Sequence, residues 1–293
     1  MTLLTTVFAA IFEQHKSWLF GIMLRMKKIQ CIHNLMAATV CVAAVSLHAA
    51  NDRITSEGAY PPHLQGVCTD GTNIWWSHTV ELTRTDLKGK VLTHAKGLKS
   101  HHGDLCVVGG TVYVAVNHGK FNTEDKADSW VYAYRGDDLS FIKRWKVPEL
   151  CHGAGGMTWK DGHFFIIGGL PPTHNENYVY EYTPEFTFIK RHVLNSDWTN
   201  LGIQTVDYSN GKFYFGCYGG SRKTDGKSVP SLTLVSTDLS HVEKHTLNTS
   251  VGIIRLNGQL WHAAMKALDK TVPRRQMRYK VWLEPIPELK CAP

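Results

Sequence analysis

Histidine is the residue type in this chain best placed to do chemistry. Thirteen of its sixteen histidines lie beyond residue 50. An imidazole takes and gives protons near neutral pH, and its neutral form is the commonest protein ligand for transition metals. Seven of the thirteen flank short β-rich runs. His63, His101, His102 and His152 precede one kind of run, and His78, His118 and His262 follow another. Gln65, Asp104, Asn117, Gln204 and Tyr218 occupy equivalent places. Three uses of this set stay open. In the first, His63, His102 and His152 hold a divalent metal ion, with Gln204 or Asp104 in support. In the second, His102 and His152 act as acid–base groups and Tyr218 as a proton donor, with His101 or His102 oriented by Asp104. In the third, His63, Gln65, His78, His118, Gln204 and His262 line a polar mouth that binds a ligand without chemistry.

An internal repeat supplies the elements that must position these residues. Five units share one pattern: 67–78, 105–118, 157–169, 206–220 and 253–264. Each has a β-rich run, a Gly-type turn and a second β-rich run. The turns are Asp70-Gly71, Gly109-Gly110, Asp161-Gly162, Asn210-Gly211 and Asn257-Gly258, all two-residue hairpin signals. Alternating third strands follow at 81–87, 129–135, 177–183, 231–237 and 279–285. Fourth strands are visible at 90–95, 142–147, 189–194 and 242–247. This predicts an all-β fold, a five-bladed β-propeller of four-stranded antiparallel blades. The last unit lacks sequence for an outer strand, and Arg53-Ile54-Thr55-Ser56 is expected to supply it and close the ring. In a propeller the first strand of each blade lines the channel. Residues just before strand one and just after strand two therefore meet at one channel mouth.

The loops after the second strands leave from that same face. They carry Lys120, Lys126, Arg222, Lys223, Lys227, Lys266, Lys270, Arg274, Arg275 and Arg278 against fewer acids. A positive rim attracts an anionic ligand, a small molecule or a glycan, with Arg222 and Arg274 as candidate binding residues. Nucleic acid is a poor candidate, because export is expected, the net charge is modest and no single-strand-binding fold signature appears. Trp198 and Trp261 sit near the mouth, where a ring can stack on a sugar.

The N-terminal part reads as a targeting segment. Met26-Lys27-Lys28 opens a positive region, residues 35–47 form a short apolar stretch, and Ala49-Ala50 offers a cleavage site. This predicts a secretory signal over about 26–50, a single propeller domain over 51–293, and a secreted or periplasmic location. The apolar stretch is too short to span a bilayer, so no transmembrane segment is expected. The net charge of +7 includes +3 from residues 1–50, which leaves +4 for the rest. Five cysteines remain beyond residue 50, an odd number without CxxC spacing, which excludes a zinc ribbon. GxSxG, HExxH and EF-hand patterns are also absent.

One stretch carries a family resemblance. Leu64-Gln65-Gly66-Val67, the strand Leu82 to Leu87 and Gly89-Lys90-Val91 are similar to the opening blade of bacterial glutamine cyclotransferase-like propellers. The acidic residue that family carries in its next blade is missing, because His102-Gly103-Asp104-Leu105 stands there, and the resemblance covers one blade in five, so the cyclotransferase activity is not carried over. The calcium set of gluconolactonase-type propellers has no match. The expectation is an enzyme acting on an anionic carbohydrate by elimination or hydrolysis, by analogy with propeller polysaccharide lyases. The alternatives are a non-catalytic sugar- or protein-binding propeller, or a metal-dependent lactonase or cyclotransferase.

Overall fold

Five four-stranded antiparallel sheets account for nearly all the regular structure. The computed structural model describes residues 53–287 and Leu289, apart from Pro62 and Ser100. The expected secretory segment and Cys291 lie outside the described residues. The chain opens with β1 (Ile54–Thr55) and then builds blade 1 from β2 (Leu64–Thr69), β3 (Asn73–His78), β4 (Glu81–Asp86) and β5 (Val91–Lys96). Blade 2 is β6 (His102–Val108), β7 (Thr111–Asn117), β8 (Ser129–Arg135) and β9 (Phe141–Lys146). Blade 3 is β10 (Ala154–Lys160), β11 (His163–Gly168), β12 (Asn177–Tyr182) and β13 (Phe188–Leu194). Blade 4 starts with β14 (Asn200–Ser209) and β15 (Lys212–Tyr218), then inserts a small hairpin, β16 (Gly220–Ser221) and β17 (Ser228–Val229). It ends with β18 (Leu232–Ser236) and β19 (Glu243–His245). Blade 5 is β20 (Ile253–Leu256), β21 (Gln259–Ala267) and β22 (Tyr279–Pro285). The protein is a five-bladed β-propeller, and its one described helical turn is a 3-10 turn at Arg274–Gln276.

The expected ring closure is present. β1 pairs with β22, Ile54 opposite Leu283 and Thr55 opposite Trp282, so the N-terminal strand is the outer strand of blade 5. The seam is packed as a core. Leu64, Val67 and Trp76 of blade 1 bury against Ile254, Ala263, Val281 and Leu283 of blade 5. The next seams repeat the scheme, with Cys106, Ala115 and Val131 of blade 2 against Phe164, Ile166 and Tyr180 of blade 3. Removal of this apolar surface from water is the main force holding neighbouring blades together.

Four of the five inner hairpins have the expected two-residue turns. Asp161, Asn210 and Asn257 have φ near 50° and each precedes a glycine of positive φ, the geometry of a type I′ turn. The first hairpin differs from expectation. Thr69 pairs with Ile74, leaving four loop residues. Asp70 Oδ1 accepts from the backbone N–H of Thr72 and Asn73, at 2.8 and 2.7 Å. The aspartate side chain closes that turn in place of backbone handedness.

The feature that shapes the site is irregularity at the start of the inner strands. Blades 1 to 4 each carry a register shift there, and blade 5 carries none. Leu64 and Gly66 pair with consecutive residues, which leaves Gln65 unpaired. The same happens at Gly155 in blade 3, and at Leu201, Gly202 and Gln204 in blade 4. Such bulges interrupt the alternation of side chains and re-aim them.

Candidate functional site

The unpaired bulge residues come together. A cavity of about 550 Å³ is lined by His63, Gln65, Thr79, His101, Phe121, Asn122, Gly155, Gly169, Leu201, Ile203, Gln204, Tyr218 and Arg274. Gln65, Gly155, Leu201 and Gln204 are bulge residues of blades 1, 3 and 4. The bulges thereby turn the polar side chains of Gln65 and Gln204 into the channel mouth, where a regular strand would have alternated away.

A hydrogen-bonded chain crosses this cavity. Tyr218 Oη lies 3.0 Å from His63 Nε2. His63 Nδ1 lies 2.9 Å from Gln65 Nε2. Gln65 Nε2 is also 3.1 Å from Thr79 Oγ1 and 3.1 Å from His101 Nε2. With the Gln65 amide donating to His63 Nδ1, the His63 proton sits on Nε2 and points at Tyr218 Oη. The phenol hydrogen is then available to a ligand. Half a turn of the amide reverses the polarity, and His63 Nε2 accepts the phenol proton. His63 holds its place with a left-handed backbone, φ 78°, a conformation uncommon for non-glycine residues.

Burial sets the protonation states. Desolvation pulls His63 below its ordinary value, and the charge of Arg274 lowers it further. Desolvation brings His101 down to about 4. Burial raises Tyr218 above the usual phenol value, with Arg274 pulling the other way. At neutral pH the mouth thus holds neutral imidazoles, a protonated phenol and a guanidinium.

Of the residues expected from sequence, His63, Gln65, Gln204, Tyr218 and Arg274 line this cavity together. The others go elsewhere. His102 is buried, with Nε2 2.7 Å from Tyr134 Oη and Nδ1 2.9 Å from the Lys99 carbonyl. His152 is buried against His174 and Tyr178, ring centroids 5.2 and 6.2 Å away. His78 stacks on Tyr60 at 4.5 Å in the blade interior, and desolvation takes it to about 3. His118 bonds Tyr132 Oη at 3.0 Å, and His262 faces Glu284 at 3.5 Å. Arg222 lies over the Trp198 ring.

The three histidines expected to share a metal ion are not brought together here. His63 faces the cavity, whereas His102 uses both ring nitrogens in interior bonds, so the two share no ligand point with His152. Among the described residues no group of three or more His, Cys, Asp or Glu is arranged for an ion. The Asp104 expectation changes as well. Its carboxylate is buried at the channel axis and accepts from the Val206 backbone N–H at 2.8 Å, across to blade 4. It orients neither His101 nor His102. A side chain at Gly66 would overlap Asp104, so the glycine makes room for this cross-channel bond. The described cysteines, Cys68, Cys106, Cys151 and Cys217, are free thiols.

Sequence reasoning missed Thr79, Phe121, Asn122, Leu201 and Ile203 as lining residues. Phe121 and Asn122 belong to a loop with no periodicity to read. The signal for Leu201 was its neighbour Gly202, whose φ of 80° marks a bulge.

No protein-family model matches the chain, and no curated protein matches it. Solved structures do. A glutaminyl cyclase from Myxococcus xanthus is 13% identical over 80% of this chain and 98% of that one, with a TM-score of 0.49. The Bacteroides ovatus xyloglucan PUL GH43B is 11% identical with a TM-score of 0.53, over 80% of this chain and 54% of that one. U3-55K is 8% identical over 81% and 99%, with a TM-score of 0.46. At such identities the likeness is one of fold, the β-propeller, and function has to be argued from the site.

Proposed function

We propose that this chain is an exported enzyme that eliminates across a glycosidic bond of an acidic sugar, with its site in the cavity at the channel mouth. The observation that carries this reading is the Tyr218 Oη–His63 Nε2 contact of 3.0 Å in a cavity that also presents Arg274. A uronate substrate makes three demands. Its carboxylate needs a cation, the carbon beside it must lose a proton, and the leaving oxygen must gain one. Arg274 meets the first and stabilises the enolate that forms. A neutral His63 takes the proton, directly or through Tyr218 Oη, and a protonated Tyr218 delivers one to the leaving oxygen. The carbon–hydrogen and carbon–oxygen bonds break, a carbon–carbon double bond forms, and no co-reactant is consumed. The export element rests on the positive and apolar segments at 26–50.

The test is incubation with uronate-containing glycans, followed by the ultraviolet absorbance of the unsaturated product. Turnover that vanishes in Tyr218→Phe supports the reading. Binding of the same glycans without any unsaturated or hydrolysed product makes the protein a sugar-binding propeller instead.

A further inference from the structure

A second, smaller chamber opens beside the first. It measures about 270 Å³ and shares Phe121, Asn122 and Leu201 with the main cavity. Two of these three shared residues have left-handed backbones, Asn122 at φ 60° and Leu201 at φ 63°. For leucine this is uncommon, and such strain persists only where surrounding structure imposes it, often at ligand clamps. Asn122 is pinned on both sides. Its backbone N–H donates to the His152 carbonyl at 3.1 Å, and its Oδ1 accepts from Leu170 N–H at 2.9 Å. Leu201 leaves its β14 bulge with 47% of its surface exposed, at the junction of the two spaces.

The far side of this chamber is a built surface. The Arg222 guanidinium lies 5.2 Å over the Trp198 ring. It is held there by Asp225 and by Asn175 Oδ1 at 2.7 Å, and only 12% of its side chain is exposed. Trp198 is buried, and its indole N–H has no hydrogen-bond partner. Lys223, exposed on the same wall, adds a cation whose ammonium suits a carboxylate.

We propose that this chamber is a second sugar subsite, so that the substrate is an oligomer of acidic sugars with one unit in each chamber. The inference rests on the elimination reading for the first chamber and adds that the ligand has length. Phe121 and Leu201 bracket the linkage between the two units. Arg222 on Trp198 forms a flat, pre-organised platform, and Lys223 pairs with the second carboxylate.

Titration calorimetry on the full chain tests this with mono-, di- and tetrasaccharides of galacturonate, mannuronate and glucuronate. For at least one series the tetrasaccharide is expected to bind about tenfold or more tighter than the monosaccharide. Lys223→Ala should remove most of that length dependence and leave monosaccharide affinity within about twofold. Trp198→Phe, checked for folding by thermal unfolding, should act in the same direction. Equal affinity at every length, or an unchanged length dependence in Lys223→Ala, overturns the subsite. Length-dependent binding without turnover keeps the subsite and removes the elimination reading. Turnover with no effect of Lys223→Ala does the reverse, and absence of binding to every acidic sugar removes both.

Discussion

His101 and His102 are consecutive, yet they end in different worlds. His101 lines the cavity and joins Gln65 at 3.1 Å. His102 is enclosed in the blade interior with both nitrogens bonded, to Tyr134 and to Lys99. The same split runs through the whole histidine set: His63 goes with His101, while His78 and His152 go with His102. In extended chain, neighbouring side chains point to opposite sides, so one of two adjacent histidines must turn inward. What decides which one is the backbone. His101 pairs with Asn117 through both its N–H and its carbonyl, which fixes the strand's facing before the bulge that follows His102. Residue type alone therefore overstates a site of this kind. Imidazoles near a channel mouth serve the mouth or the packing beneath it, according to parity.

The sharpest way to break this division is to mutate one member of each set. Tyr218→Phe removes the proton from the mouth chain without removing the ring, and kcat should fall by about 10²–10⁴ with the fold retained. His102→Ala should do the opposite. It leaves Tyr134 Oη without its partner and opens a cavity, so stability should drop by roughly 2–4 kcal/mol. Turnover per folded molecule should hardly change. Activity measured beside thermal unfolding decides the matter. A stable but inactive His102→Ala would move the chemistry back into the interior set.

This division also marks where sequence reading stops. The blade count, the third and fourth strands and the closing strand at Ile54–Thr55 were legible because hairpin turns and alternation recur on one period. The location of Tyr218 and Gln204 at the mouth was legible from strand order, and that of Arg274 from the basic loop that leaves the same face. The bulges were not, since a bulge is one extra residue and shifts parity without changing composition. The glycines beside them, Gly66, Gly155 and Gly202, carry the only local trace, and glycine has other uses. Phe121 and Asn122 were illegible for a different reason. They reach the cavity from a loop whose path depends on contacts with Leu170 and His152, far along the chain.

The interior histidines should announce themselves in acid. His78 and His102 have values of about 3 and about 4 because burial disfavours their charged forms, against an ordinary value of 6.5. Below pH 6.5 the unfolded chain takes up protons that the folded chain refuses. Stability is therefore fully present above pH 6.5 and is lost as pH falls toward 4 and then 3. The loss amounts to up to roughly 3–5 kcal/mol for each group at the acid limit. His78→Phe keeps a ring stacked on Tyr60 and removes the titration. Thermal unfolding of this variant should fall less steeply between pH 7.5 and 5 than that of the parent chain. An unchanged slope would mean that His78 is accessible to protons in the folded state, contrary to its place in the interior.

Under the proposed elimination, the mouth set should titrate into activity instead, with Arg274 tuning it. His63 must be neutral to accept a proton, so kcat/KM should decline on the acid side with a midpoint below 6.5. Tyr218 sits above the ordinary phenol value, so no alkaline decline should appear until beyond about pH 10. Burial is the larger cause of the His63 shift and Arg274 the second. Arg274→Gln removes a positive charge that opposes protonation of His63, and the acid midpoint should therefore move upward. The shift should stay under about one pH unit, because the desolvation remains. KM for an acidic sugar should rise in the same variant, since the carboxylate loses its cation. High salt should mimic the smaller part of both changes in the parent chain and do little to the variant. A rise in KM with an unmoved acid midpoint would leave Arg274 as a substrate contact only, and would separate it from the His63–Tyr218 chain.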